Sequence, residues 1–435
     1  MLKQLTPFLL TGFLQELLWI SSYYVGPFRD NTGPFLALML GAFGLCAWSY
    51  FRLPLRRQPA VLTVLGFALL FRLTVLPAPP HQSEDAYRYI WDARIAAAGI
   101  DPFRYPPEAP QLERFRDAVV FPKLNSKPYR TVYPPFSQIL FRIPHALFGE
   151  SVVGMKSIFS LFEFSALLLM WRLLEAYGER LEPLFLVAWN PFFIFEFSHS
   201  GHSESAMMFL ILLSVYLLLH SKKAWAMVSY AGAVLVKLHP AMLLPLYFRR
   251  LGWKPALAGI AAGSVLLSVF FTPSTLLQYV NSLRLYYKLF EFNAGVHYVL
   301  RMIGRDLYQE SWDQFTGPYL GAGLVLVCVL IWWRFPLRSE KDLLHASFWI
   351  MTANVCLSTT VHPWYLAWAG LALPFFPYAF MAYWTGASFL SYVAYAYRPV
   401  YEPTWVLLAE YLPMYALMAW EICRGKPLLG LTSDE

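Results

Sequence analysis

The sequence predicts an all-α polytopic membrane protein. Three observations carry that expectation. Hydrophobic residues make up 58% of the 435 residues and charged residues only 14%, whereas a soluble domain carries about 25% charged residues. Apolar runs of about 20 residues, enough for a spanning helix, recur along the whole chain. These runs are continuous rather than alternating, which argues against a β-barrel.

The elements follow in order. Apolar runs begin near residues 6, 34 and 60. The first has a single basic residue, Lys3, is interrupted by Gln15 and Glu16, and lacks a small-residue cleavage site. It reads as a retained span rather than a removable signal. Arg52, Arg56 and Arg57 fill the second connector, which the positive-inside rule places in the cytoplasm. Residues 60–76 then run outward and 77–131 lie outside. Residues 132–149 carry Pro134, Pro135, Arg142, Pro144 and His145. A spanning helix there would bury an Arg and a broken backbone, so an interfacial helix on the outer face is expected.

From there the spans alternate over 153–177, 183–198, 205–220, 224–238, 240–248 and 255–272. A second external loop, 273–317, follows. Lys222 and Lys223, Arg249 and Arg250, Arg334 and Arg338, and Arg424 all fall inside. The count comes to roughly 13–14 spans, with a turn at Pro374 to Pro377 and both termini cytoplasmic. Gly259 and Gly263 form a GxxxG pair that permits close helix approach. Cys46, Cys328, Cys356 and Cys423 sit in or beside apolar runs and read as buried small side chains. The net charge of +7 is modest, and no basic tail points to nucleic acid.

The polar groups concentrate in residues 77–131, which hold seven acids and eight bases. Such a long loop is usually functional. A helix is expected after Ser83 as N-cap, ending at Gly99 before Pro102. Tyr87, Ile90, Trp91 and Ile95 share one face, and Glu84, Arg88 and Asp92 another. The spacing suits a surface ion ladder. Glu84 and Asp85 also stand where an outward span meets water. An acid there can take a proton from a water-borne hydroxyl while facing a lipid-borne substrate.

Further polar groups fall on the same side. They are His199, His202 and Glu204 in SHSGHSE, Lys237 and His239 in VKLHP, Arg301 with Asn293 and His297, and His362 with Tyr365 in HPWYL. Single histidines near an interface often serve as structural hydrogen-bonders, and the HSGHSE spacing is loose for zinc. A charge inside an apolar run, as at Lys237, costs about 2.5–3.5 kcal/mol. A bound phosphate explains it, and so does snorkelling.

Together these residues resemble the GT-C superfamily of membrane glycosyltransferases, in particular bacterial polyprenyl-phosphate-mannose-dependent mannosyltransferases. The resemblance rests on SEDAYRYIWDARIAAAGIDPF, on TVYPPFSQ with Tyr133, on NPFFIFEFSHSGHSES, on VKLHP and on HPWYL. Ala93, Asp101, Phe103, Ser203, Glu204 and His239 depart from the group's pattern. It covers about residues 60–370.

The resemblance implies a GT-C-like bundle with external jaw helices. Residues 1–59 would be two added N-terminal helices, 60–334 the core, and 335–435 the C-terminal helices. It implies a catalytic base best matched by Asp85, with Glu84 beside it. Substrate or phosphate contacts would come from Arg88, Asp92, Tyr133, His202, Glu204, Lys237, His239, Arg301, His362 and Tyr365. The donor would be a sugar, mannose foremost, on a polyprenyl phosphate. The acceptor would be a glycan, lipid or protein, and the site would lie on the periplasmic face of the inner membrane. No cofactor is implied, and a divalent metal stays open. A lipid-linked sugar transporter or flippase, or a glycolipid-binding scaffold, are the other readings. Transporter sites lie near the midplane, which fits the charged first loop poorly.

Overall fold

A computed structural model describes residues 2–309 and 313–430. Residues 310–312 of the second expected external loop and the last five of the C-terminal segment lie outside the described residues. Every regular element among the described residues is helical, and a single parallel bridge, Phe292 with Thr360, is the one extended pairing. The all-α polytopic class is what the structure has.

Six helices are long and apolar enough to cross a membrane: Thr32–Arg52, Gln58–Val75, Val152–Tyr177, Trp253–Phe270, Thr316–Arg334 and Thr404–Arg424. A seventh arises if Glu182–His199 and Glu204–Leu219, bent by 117°, form one broken span. Leu2–Val25 is a helix of 24 residues that Gln15 and Glu16 make less apolar, and the other expected spans are shorter or segmented. Lys223–Val236 has 14 residues, and Pro240, Pro363 and the turn before Tyr378 break the later runs into short helical pieces. Proline removes a backbone donor and breaks helices. Inside a membrane, such breaks are tolerated where protein buries them. Leu366 to Leu373 are accordingly almost wholly buried.

Large apolar side chains such as Leu40, Phe51, Leu73, Val269 and Leu412 face outward. Lipid contact requires that, whereas a soluble monomer avoids large contiguous apolar patches. Polar positions in the first helix face protein instead. Gln15 donates to the Trp189 carbonyl at 2.5 Å, and Glu16 accepts from Thr74 at 2.5 Å. Arg72 and Glu163 are both buried and form a two-pronged pair, with Nη2 to Oε1 at 2.6 Å. The pair ties the Gln58–Val75 helix to the Val152–Tyr177 helix.

A Cβ added at Gly259 would lie 2.7 Å from the Met227 carbonyl oxygen, so the GxxxG pair does bring its helix against Lys223–Val236. Cys46 and Cys356 are buried as expected, but Cys328 is half-buried and Cys423 exposed. Cys423 lies in the last turn of its helix, where few neighbours cover it.

Candidate functional site

The first loop folds around the Asp85–Ala97 helix. Its cap differs by one residue from the expected Ser83. Glu84 is the N-cap, and the Ser83 hydroxyl accepts the Asp85 N–H at 3.2 Å. Gly99, at φ +76°, stops the helix, a conformation that glycine adopts without strain. Tyr89 is fully buried and stacks on Phe141 at 4.2 Å. That contact seats the helix on Pro135–Phe148, the amphipathic element expected at the interface.

The anticipated Glu84–Arg88–Asp92 ladder forms only in part. Arg88 pairs with Asp92 at 3.1 Å and donates to the carbonyls of Ser126 and Tyr129. Asp92 also accepts from Gln138 at 3.1 Å. Glu84 turns away to Arg29, at 2.5 Å, in the turn between the first two helices. Arg29 in turn lies over the Tyr395 ring.

Asp85 is buried, with 8% of its surface exposed. Asn125 donates to its Oδ1 at 2.8 Å, and His202 Nδ1 lies 3.5 Å from its Oδ2. Burial alone would push the carboxyl up. The hydrogen bond and charge of His202, then Lys237 and Asn125, outweigh burial and hold Asp85 well below the usual carboxylate range. Arg88, the partner its spacing suggests, is committed to Asp92 and to two carbonyls instead.

His202 owes its position to the bend after His199. Gly201 has φ +81°, and a Cβ there would meet the Lys156 side chain at 2.7 Å. His202 is fully buried and stacks on Trp364 at 3.8 Å. Trp364 also stacks on His362 at 4.4 Å, and His362 on Phe292 at 4.9 Å. The backbone pins this column, because Val361 N–H donates to the Phe292 carbonyl at 2.7 Å. A second stack joins His239 to Trp368 at 3.7 Å and Trp368 to Tyr365 at 4.5 Å.

Lys237 sits just past the Lys223–Val236 helix in extended backbone. Its Nζ lies 2.8 Å from Glu204 Oε1 and 5.0 Å over the Tyr133 ring.

These groups surround a cavity of about 500 Å³. Of the residues expected at a site, Glu84, Asp85, Arg88, Tyr133, Lys237, His239, His362 and Tyr365 line it. Asp92, His202 and Glu204 stand behind that lining, each almost wholly buried. Arg301 does not line the cavity. It is paired with Glu291, which does, and is half-exposed over Tyr298. Trp364, in the same HPWYL motif as His362 and Tyr365, lines the cavity too, and Asn125, Arg130 and Tyr395 line it without having been singled out as site residues. The Asn-Ser-Lys-Pro turn around Asn125 was the available signal for the first of them. Among the described residues, no group of three or more His, Cys, Asp or Glu is arranged to hold a metal ion.

Fold and cavity define a multi-pass helical membrane protein whose polar site is built between the Asp85–Ala97 helix and a sharply bent helical segment. A sequence profile described as Alpha-(1->6)-mannopyranosyltransferase, N-terminal domain, matches residues 9–251. The chain belongs to that family, in agreement with the GT-C resemblance. The match takes in most of both N-terminal helices, which the quoted motifs leave outside, and includes Asp85, Tyr133, His202, Glu204, Lys237 and His239. Alpha-(1->6)-mannopyranosyltransferase A of Mycobacterium tuberculosis (strain ATCC 25618 / H37Rv) is 22% identical over 333 residues, covering 70% of this chain. The chain spans 64% of the length of that curated relative.

Proposed function

We propose that the chain is an integral-membrane glycosyltransferase. It moves mannose from a polyprenyl-phosphate-linked donor to an acceptor hydroxyl at the external face of the inner membrane. The observation that carries this reading is the setting of Asp85, an ionised carboxylate on the wall of a cavity that Arg88, Arg130 and Lys237 also line.

Asp85 takes the proton of the acceptor hydroxyl as its oxygen bonds to the anomeric carbon. The bond from that carbon to the phosphate oxygen breaks, and the electron pair leaves with the lipid phosphate. Cations fixed near the departing charge stabilise it more than water would. Lys237 is the first candidate, with Arg88 and Arg130 next, while His239, kept neutral by burial and by Lys237, can offer only a hydrogen bond. Arg301, held by Glu291, is the weakest of the expected cations. The aromatic rings of Tyr133, Trp364 and Tyr365 give the sugar and lipid flat apolar contacts.

The family description and the relative's name support mannose as the sugar, and they make an alpha-(1->6) product the first to assay. A single displacement inverts the anomeric centre, so an alpha-linked product calls for a beta-linked donor. The acceptor is a glycan, lipid or protein bearing the hydroxyl. The mechanism needs no cofactor, and transfer in excess chelator tests that directly.

The test is to incubate the purified protein in detergent with a panel of polyprenyl-phosphate sugars and glycan acceptors. A new glycosidic bond with the mannosyl donor is expected. Transport of lipid-linked sugar in vesicles, with no new bond from any donor, would replace this reading with a flippase.

A further inference from the structure

Glu196 has no place in the mechanism above, yet it is a fully buried acid facing the ring behind the proposed base. We propose that Glu196 is a positioning residue, acting through His202 to keep Asp85 ionised and aimed into the cavity. The proposal rests on the reading of Asp85 as the base.

The geometry is a line of three groups. Asp85 Oδ2 lies 3.5 Å from His202 Nδ1, and His202 Nε2 lies 3.3 Å from Glu196 Oε2. Neither ring nitrogen has a closer hydrogen-bonding partner among the described residues. A neutral imidazole carries one N–H, whereas the imidazolium donates from both nitrogens. A histidine held between two carboxylates therefore serves both only when both nitrogens carry protons. The spacings are long for finished hydrogen bonds, as is common before substrate binds.

Two features hold the line in place. His202 is clamped face to face against Trp364 at 3.8 Å, so the ring cannot swing to another partner. The other oxygen of Glu196 accepts from the Tyr392 hydroxyl at 2.8 Å. Glu196 lies in the π-helical turn Ile194–His199, a local irregularity that is frequent at functional sites. A buried carboxylate is costly unless paired, and here its pair is the histidine that contacts the base. The other ionisable groups near the line include Lys237, Tyr89 and Tyr133 beside Asp85, Glu204 near Glu196, and His199 and His362 near His202.

During transfer the line does not move the proton onward. Asp85 accepts it from the hydroxyl and returns it to water as product leaves. The fixed imidazolium lowers the energy of the Asp85 carboxylate that awaits the next acceptor.

The experiment compares wild type with Glu196→Gln and Glu196→Asp in the full-length protein. Infrared difference spectra follow the Asp85 carboxyl band, assigned by its loss in Asp85→Asn. In Glu196→Gln the Asp85 titration should move up by about one pH unit or more, the scale on which a neighbouring charge acts. Asp85 stays ionised at neutral pH even after that shift, so the loss of turnover there, about tenfold through kcat with donor KM nearly unchanged, reads the lost aim of the carboxylate rather than its charge. Glu196→Asp should recover part of both effects. Combining Glu196→Gln with His202→Gln should shift the titration no further than His202→Gln alone, because coupled residues are not additive.

If Glu196→Gln melts before assay, the His202→Gln shift is read instead and must be of the same sign. An unmoved Asp85 titration in a folded variant, or a loss confined to thermal stability, overturns the proposal. Absence of transfer by wild type would sink the enzymatic reading, whereas the Asp85 titration would still decide the role of Glu196.

Discussion

The Lys237 ammonium lies 2.8 Å from a Glu204 carboxylate oxygen, and Glu204 is fully buried. The pair answers how a lysine persists at the end of an apolar run. It does not snorkel away from the protein. It lines the cavity and neutralises a carboxylate buried just behind the lining. Replacing Lys237 by Met should weaken donor binding or turnover by about 1.5–3 kcal/mol, the worth of a charge-assisted hydrogen bond, or roughly tenfold to a hundredfold. Donor titration and steady-state kinetics check this. Unchanged kinetics in a folded variant would leave Lys237 as a counter-ion for Glu204 alone.

Legibility in the sequence followed the physics of each signal. The helical membrane class, the Asp85–Ala97 helix and the Pro135–Phe148 helix were readable, because hydropathy and 3.6-residue periodicity act locally. Asp85, Lys237 and His202 were readable as polar residues in motifs. Their partners were not. The four-residue spacing offered the Arg88–Asp92 pair, but nothing in it tells that Glu204 meets Lys237, or that loop carbonyls take the other donors of Arg88. Those pairings depend on where the Gly201 bend and the 125–130 turn bring distant segments. Glu196 was hidden because it sits in a run of phenylalanines, where a single acid is easily passed over. Where each span begins and ends was less legible for a related reason. An apolar run broken by proline looks the same in composition whether it crosses the bilayer or folds back inside protein.

The depressed titration of Asp85 sets a pH dependence. A carboxylate with a lowered folded pKa stays ionised at every pH above it. Transfer should therefore hold its rate as pH falls from 7 toward about 4, the ordinary carboxyl value, and decline only below that. Its stabilising contribution has the same sign: present above the unfolded value and lost as pH falls through the folded one. A kcat/KM profile checks this, and an acidic limb near pH 6 would assign the base to another group.

The Arg72–Glu163 pair predicts a stability effect far from the cavity. Arg72 also donates to the carbonyls of Ala68 and Ala188 at 2.8 and 2.9 Å. Arg72→Met strands a buried carboxylate and should cost about 3–5 kcal/mol, as for other broken buried pairs. Adding Glu163→Gln should recover part of it. Thermal melting in detergent reads both. A single variant that melts like wild type would show that the pair is not holding the two helices.

Topology can be read by chemistry. Glu108, Gln309 and Gln58 are all exposed. Cysteines placed at Glu108 and Gln309 should react with an impermeant thiol reagent applied outside cells, and a cysteine at Gln58 should not. The background is best removed by Cys423→Ser, since Cys423 is the exposed native cysteine. Labelling of all three positions from one side would contradict the external placement of the site.

The most direct measurement is turnover of Asp85→Asn beside Glu84→Gln, with mannosyl polyprenyl phosphate as donor and folding verified by melting. The two acids are neighbours, Glu84 as the N-cap and Asp85 as the first residue of the helix, and the structure gives them different partners. Glu84 is engaged by Arg29, whereas Asp85 faces the cavity with Asn125 and His202. The amide at 85 keeps the shape but cannot take the proton, so transfer should fall by about 10²–10⁴-fold, the usual worth of a general base. Donor binding should survive nearly intact. Glu84→Gln should lose far less. Full activity in Asp85→Asn would contradict the account, and the base would then have to be sought at another acid of the site.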